Sequence, residues 1–122
     1  MIRIKRVYEP PVEEDGARFL VERLWPRGMK KEALHMVAWC KEVAPSNEIR
    51  RWFNHDPAKW KEFQRRYRAE LADNRAACQA LSDAAEHGDI TLLYSAHDTE
   101  HNSAVVLKSL LEERLTRKKS RR

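Results

Sequence analysis

Apolar and polar positions change their spacing several times along the chain, and each change marks an element. Residues 2–8 alternate with a period of two, Ile2, Ile4, Arg6 and Tyr8 on one face, Arg3, Lys5 and Val7 on the other. This predicts a strand that stops at Glu9-Pro10-Pro11, with the connection closing at the turn pair Asp15-Gly16. A second strand is expected over residues 19–25, with Phe19, Val21, Arg23 and Trp25 on one face and Leu20, Glu22 and Leu24 on the other. Pro26 lacks an amide hydrogen and holds Trp25 extended, so the strand should end there, and Gly28 can close the turn with positive φ. On each strand one face runs apolar, apolar, arginine. Arg6 and Arg23 are thereby carried to strand ends.

Helical spacing takes over beyond Gly28. Residues 30–35 read as a short helical turn, and residues 37–43 as either a short strand or a continuation of that helix. Pro45-Ser46 opens a helix with Ser46 as N-cap, Glu48 in the first turn and Ile49, Trp52 and Phe53 as its apolar stripe. Asp56-Pro57 starts the next, in which Trp60, Phe63, Tyr67 and Leu71 recur at core spacing. Asp73 or Asn74 is expected to cap a third, with Ala77, Leu81 and Ala84 inward and Gly88 as its stop. Residues 90–96 form the most continuous apolar run and predict a central strand buried on both faces, as parallel strands are. A polar loop over residues 97–102 leads into a last helix, starting near Thr99 or Ser103, capped by Asp98 or Thr99 and ending at Leu115. The order strand, strand, helices, strand, helix predicts an α/β fold: a small, mostly parallel sheet of about three to four strands covered by helices. One compact domain is expected over residues 1–115, followed by a basic, disordered tail over residues 116–122.

Charge modifies this picture in one place. The net charge is +5, yet residues 114–122 hold six basic residues and no acid, and without them the body has 18 basic and 19 acidic residues. Only the C-terminal end is basic, which suits weak attraction to nucleic acid or acidic surfaces without identifying a nucleic-acid-binding protein. No apolar run approaches a membrane span, and the first residues alternate with cations unlike a signal peptide, so a cytoplasmic protein is expected. Cys40 and Cys78 lie in no metal-binding spacing and are expected as free thiols.

Ligands of open α/β sheets collect at the carboxyl ends of strands, near helix N-termini. That places Tyr94, Ser95, His97, Asp98, His101 and Asn102 together, and the two strand-end arginines with Arg27 nearby. Ser95 as a nucleophile would need His97 or His101 as base, and no Gly-x-Ser-x-Gly elbow supports it. His97 and His101 are four residues apart, but their spacing spans a loop–helix junction and no third ligand is evident, so no metal is expected. Arg6, Arg23 and Arg27 supply forked donors suited to phosphate or carboxylate, and Trp25 and Tyr94 could stack on a ring. The same arginines would equally suit a structural cluster. The expected ligand-binding set is Arg6, Tyr8, Arg23, Trp25, Arg27, Tyr94, Ser95 and Asn102, for a small anionic ligand that is either bound or transformed. Walker and Rossmann glycine patterns are absent. The alternative is a nucleic-acid-binding or regulatory module, on the basic tail and on Arg50-Arg51 and Arg65-Arg66 with Arg68.

Several stretches resemble the YeaO-like family of small bacterial proteins, a domain family of unknown function. They are Lys5-Arg6-Val7-Tyr8, Asp15-Gly16, residues 21–28 (VERLWPRG), Lys31, Trp39 with Lys41-Glu42, Pro45-Ser46, and residues 92–96 (LLYSA) with Asn102. The resemblance runs in order to about Leu111 and implies an α/β fold, but no particular activity. Members of the wider group look as though they carry cysteine around the last strand and helix. Here Tyr94-Ser95-Ala96 stands there, which argues against a thiol mechanism.

Overall fold

In the computed structural model, which describes residues 1–120, four strands form one parallel sheet in the order β1-β4-β2-β3. The strands are β1 (Ile2–Arg6), β2 (Ala17–Leu20), β3 (Ala38–Trp39) and β4 (Ile90–Tyr94). β4 lies between β1 and β2, with Ile2 opposite Ile90 on one side and Ala17 opposite Ile90 on the other. All five β4 residues are buried, as its unbroken apolar run requires. The helices are α1 (Lys31–Leu34), α2 (Asn47–Phe53), α3 (Trp60–Ala72), α4 (Arg75–His87) and α5 (Ser103–Ser120). The α/β class and parallel sheet expected from the sequence are observed.

Several boundaries differ from the pattern-based reading. β2 begins at Ala17, directly after Gly16, and ends at Leu20 rather than at Trp25. The Val21 amide still donates to Leu93 O at 3.2 Å, but β3 offers only two residues as partner, and the Glu22 carbonyl accepts from the Trp39 indole instead of a strand amide. Residues 37–43 combine a two-residue strand with a 3₁₀ turn, Lys41–Val43. Ser46 caps α2 by accepting from the Ile49 amide at 3.2 Å, and Asp56 caps the turn that precedes α3, both as expected. Asn74 occupies the N-cap position of α4, but its amide donates to Glu42 O at 2.6 Å instead of capping. The cap of α5 is Asn102, whose Oδ1 accepts from Val105 N at 3.1 Å. Asp98 instead organises the preceding turn, accepting from the Glu100 and His101 amides. α5 passes Leu115 and runs to Ser120, with Lys118 paired to Glu86 at 2.7 Å; the expectation of disorder for Arg121 and Arg122 falls outside the described residues.

Alternation divides the core in two. Ile2, Phe19, Ile90, Leu92 and Tyr94 face α3, α4 and α5, where Phe63, Tyr67, Leu71, Leu81, Leu107 and Leu111 fill the main core. Tyr67 is fully buried and donates its hydroxyl to Val43 O. Val7, Leu20 and Leu93 face the other way, onto Leu34 of α1 and the half-buried Trp25, Met29, Met36 and Trp39. Cys40 and Cys78 are free.

The β1–β2 connection crosses this thinner face and carries a charge inward. Asp15 and Arg18 are both nearly inaccessible and form an ion pair, and Lys5 Nζ donates to both Asp15 oxygens at 3.1 Å. The Val12 amide adds a bond to Oδ2, and Arg18 Nε donates to Leu34 O at 3.0 Å, tying α1 to the same cluster. Burial pushes the Asp15 carboxyl up, but the Val12 amide, Lys5 and Arg18 together hold it below its ordinary value of 3.8.

Asp15→Ala strands a buried guanidinium and should cost about 3–5 kcal/mol in chemical denaturation. Because the folded carboxyl titrates lower than the unfolded one, its contribution is present above 3.8 and is lost as pH falls through the lower folded value. The native protein should therefore lose stability across that acid window, and Asp15→Ala should show a flatter profile there. At Gly16 (φ +63°) a Cβ would sit 2.1 Å from Asp89 O, whereas at Gly28 (φ +76°) nothing lies within 4 Å. Gly16→Ala should abolish or severely weaken folding, while Gly28→Ala should cost on the order of 1 kcal/mol.

Candidate functional site

The carboxyl ends of β2 and β4 open into a cleft of about 330 Å³, closed by the N-terminus of α5 and by α2. Of the residues expected at a site, Tyr8, Arg23, Trp25, Arg27, Ser95 and Asn102 line this cleft; Arg6 and Tyr94 do not. Tyr94 is buried in the main core. Arg6 donates through Nε to Ala96 O at 2.9 Å and through a terminal nitrogen to Ser95 O at 3.2 Å, and its guanidinium lies 5.0 Å from the Tyr8 ring centre.

Arg23 acts in the same way. Nε reaches Pro45 O and the terminal nitrogen reaches Ala44 O, each at 3.0 Å, which pins the loop before α2 to the end of β2. Trp25 donates its indole N–H to Met29 O at 2.7 Å and packs edge-on against Trp39. Asn102 is buried by its capping role and by a bond from Nδ2 to Asp98 O. Arg27 differs: its backbone carbonyl accepts from Tyr8 Oη at 3.0 Å, while its side chain is exposed and makes no hydrogen bond or ion pair among the described residues.

Glu22, Arg50 and His55 also line the cleft but are not among the expected ligand-binding residues, Arg50 being read from the sequence only toward nucleic acid. Glu22 turns its carboxylate to the end of β4, where Oε1 accepts from the Ser95 amide at 2.7 Å and from Ser95 Oγ at 3.1 Å. Its backbone carbonyl accepts from the Trp39 indole at 2.6 Å. Burial pushes the Glu22 carboxyl up, against the opposing pull of the Ser95 donors and the charges of Arg50 and His55. Arg50 donates from a terminal nitrogen to Asn47 Oδ1 at 3.1 Å, and its Nε is buried without a partner. His55 follows Asn54, both with positive φ (55° and 45°), a conformation few side-chain-bearing residues adopt. The only sequence signals were an acid inside an apolar run at Glu22 and the helix interruption at Asn54-His55.

The histidines expected near Ser95 are committed elsewhere or exposed. His101 Nδ1 bonds Asp98 Oδ2 at 2.9 Å and its ring stands edge-on to Trp60; His97 is exposed. The Glu100 amide and the His101 contacts hold the Asp98 carboxyl below its ordinary range against burial. Ser95 Oγ therefore pairs with a carboxylate rather than an imidazole. A hollow of about 470 Å³ at the opposite end of the sheet is lined by Met1, Glu86, His87 and Lys118, with Lys118 paired to Glu86 and the N-terminus paired to Asp89 at 3.1 Å. Among the described residues no helix is long and apolar enough to cross a membrane.

Residues 1–122 match the DUF488-N3i family model, described as the inactive DUF488-N3 subclade, and the chain belongs to that family. It is similar to Uncharacterized protein YeaO of Escherichia coli (strain K12), 44% identical over 110 residues that cover 90% of this chain and 96% of that protein. It is also similar to Uncharacterized protein Rv3073c of Mycobacterium tuberculosis (strain ATCC 25618 / H37Rv), 39% identical over 113 residues, 93% of this chain and 95% of that protein. The YeaO-like assignment made from the VERLWPRG and LLYSA stretches thus holds. No solved structure matches the chain significantly.

The two cleft arginines at 23 and 27 should separate in a stability measurement. Arg23→Ala removes two charge-assisted bonds to backbone carbonyls and should cost about 1.5–3 kcal/mol in chemical denaturation. Arg27→Ala should stay within about 0.5 kcal/mol of the native protein. Equal stability of the two variants would show that the Ala44 and Pro45 contacts carry no weight.

Proposed function

We propose that the protein binds a small anionic ligand, bearing a phosphate or carboxylate, in the cleft at the carboxyl ends of β2 and β4. The observation that carries this reading is the charge of the lining. Three arginines, Arg23, Arg27 and Arg50, stand against the single carboxylate of Glu22, and Arg27 and Arg50 retain unbonded guanidinium nitrogens. Forked donors of this kind suit planar or tetrahedral oxyanions, and the N-terminus of α5 adds a favourable dipole at Asn102 and Ser103. Tyr8, Leu24 and Trp25 give the ligand an apolar wall, and the volume suits a small metabolite.

Binding without turnover is the version we favour. The family is described as inactive, and Ser95 has neither a histidine partner nor a free hydroxyl. The nucleic-acid alternative rests on the C-terminal end of α5, where Arg117 and Lys118 already face Glu113 and Glu86. Free thiols at Cys40 and Cys78 suit a reducing compartment, and we place the protein in the cytoplasm.

Thermal unfolding against a panel of phosphorylated and carboxylated metabolites tests the proposal. At one hundred times Kd, a ligand of the folded state adds about 2.7 kcal/mol, a rise on the order of 10 °C for a chain of this size. The rise is expected in the native protein and should vanish when Arg27→Ala and Arg50→Ala are combined. No rise with any compound, together with a rise on single-stranded nucleic acid that collapses steeply with salt, would move the function to the basic end of α5.

A further inference from the structure

The anion reading leaves one group in the cleft unexplained, the carboxylate of Glu22. A pocket built for anions alone gains nothing from a fixed negative charge, and a half-buried carboxylate is costly unless something compensates it. Glu22 is nonetheless held with care. Its backbone carbonyl is anchored by the Trp39 indole and its Oε1 by the amide and hydroxyl of Ser95. Oε2 receives no hydrogen bond, and no ion pair joins Glu22 to Arg50, His55 or any other cation among the described residues. The arrangement is an acceptor locked in orientation at the end of β4, lining the same cleft as Arg27 and Arg50. The protein supplies cations for one part of a ligand and a preorganised acceptor for another.

We infer that the ligand is amphoteric, a small phosphate or carboxylate that also bears a primary amine, its anionic group held by Arg27 and Arg50 and its N–H donors by Glu22 Oε2. The inference rests on the anion reading of the cleft and narrows it to one ligand class. An anion outside that class, with no donor, would meet Oε2 with a lone pair and be repelled. Selectivity then follows from the unpaired acceptor as much as from the new bond.

Glu22→Gln is the informative substitution because of how Ser95 holds the side chain. The Ser95 amide can only donate, so the glutamine oxygen must take the place of Oε1 and the NH₂ group must take the place of Oε2. The anchoring bonds survive while the free atom changes from acceptor to donor. Calorimetric titration would compare 2-aminoethyl phosphate with ethyl phosphate, which differ by one ammonium group.

The native protein should bind the amino compound roughly tenfold or more tightly, the range of one charge-assisted hydrogen bond. Glu22→Gln should erase or reverse that preference, with a melting temperature close to native. Equal affinities in the native protein, or a preference that survives Glu22→Gln, would overturn the inference and leave the anion site standing. Binding of neither compound, nor of inorganic phosphate, would overturn both. A third titration needs no variant: 2-(trimethylammonio)ethyl phosphate keeps the positive charge but has no N–H. It should lose most of the preference, and full retention would refute hydrogen bonding to Glu22.

Discussion

A parallel sheet ends in carbonyl oxygens, and where strands are short those oxygens have no neighbour to bond. In this protein guanidinium groups fill that role at both sides of the cleft. Arg6 closes the chain after β4 by holding Ser95 and Ala96, and Arg23 closes the chain after β3 by holding Ala44 and Pro45. Each brings two backbone acceptors to one rigid fork, satisfying groups that would otherwise be buried unpaired. The cleft exists because these loops are pinned open in fixed positions. Arg27 and Arg50, which carry no comparable duty, are thereby free to face into it.

The Asp15 cluster does for the other end of the sheet what the arginines do for this one. With α1 only four residues long, the second face of the sheet has little apolar cover, and the β1–β2 connection must lie directly on it. Asp15, Lys5 and Arg18 convert that crossing into a bonded layer that also reaches Leu34 and, through the Asp15 carbonyl, Thr91 of β4. Polar chemistry replaces the missing helix.

How much of this could be read from the chain depends on how local the cause was. Ser46 as a cap, Asp56-Pro57 as a start and Phe63, Tyr67 and Leu71 as core each follow from neighbours within a turn or two, and each is observed; so is the central strand read over residues 90–96, although it ends two residues earlier, at Tyr94. The end of β2 was not legible, because Leu20 is its last paired residue only where β3 supplies two partners. Arg6 and Arg23 were legible as strand-end cations, but their partners are carbonyls from distant loops, which alternation cannot see. Glu22 was placed by parity on the face of Leu20, yet its meaning comes from Ser95, 73 residues away. Arg50 and His55 reach the cleft only through the packing of α2 and the left-handed turn after it.

The position of β4 also governs how the chain can come to be folded. β1 and β2 never touch each other as strands; β1 bonds only to β4, and β2 to β4 and the two-residue β3, and β4 ends at Tyr94, far along the chain from both. During synthesis β1 leaves the ribosome with no strand partner and β2 with only the two residues of β3, and their edges toward β4 stay open until residues 90–94 have emerged. Joining β1 to β2 through β4 is therefore a late step with high contact order rather than a progressive zipping. Until it happens, Ile2, Phe19 and Leu20 are the surfaces on which association between nascent copies would begin.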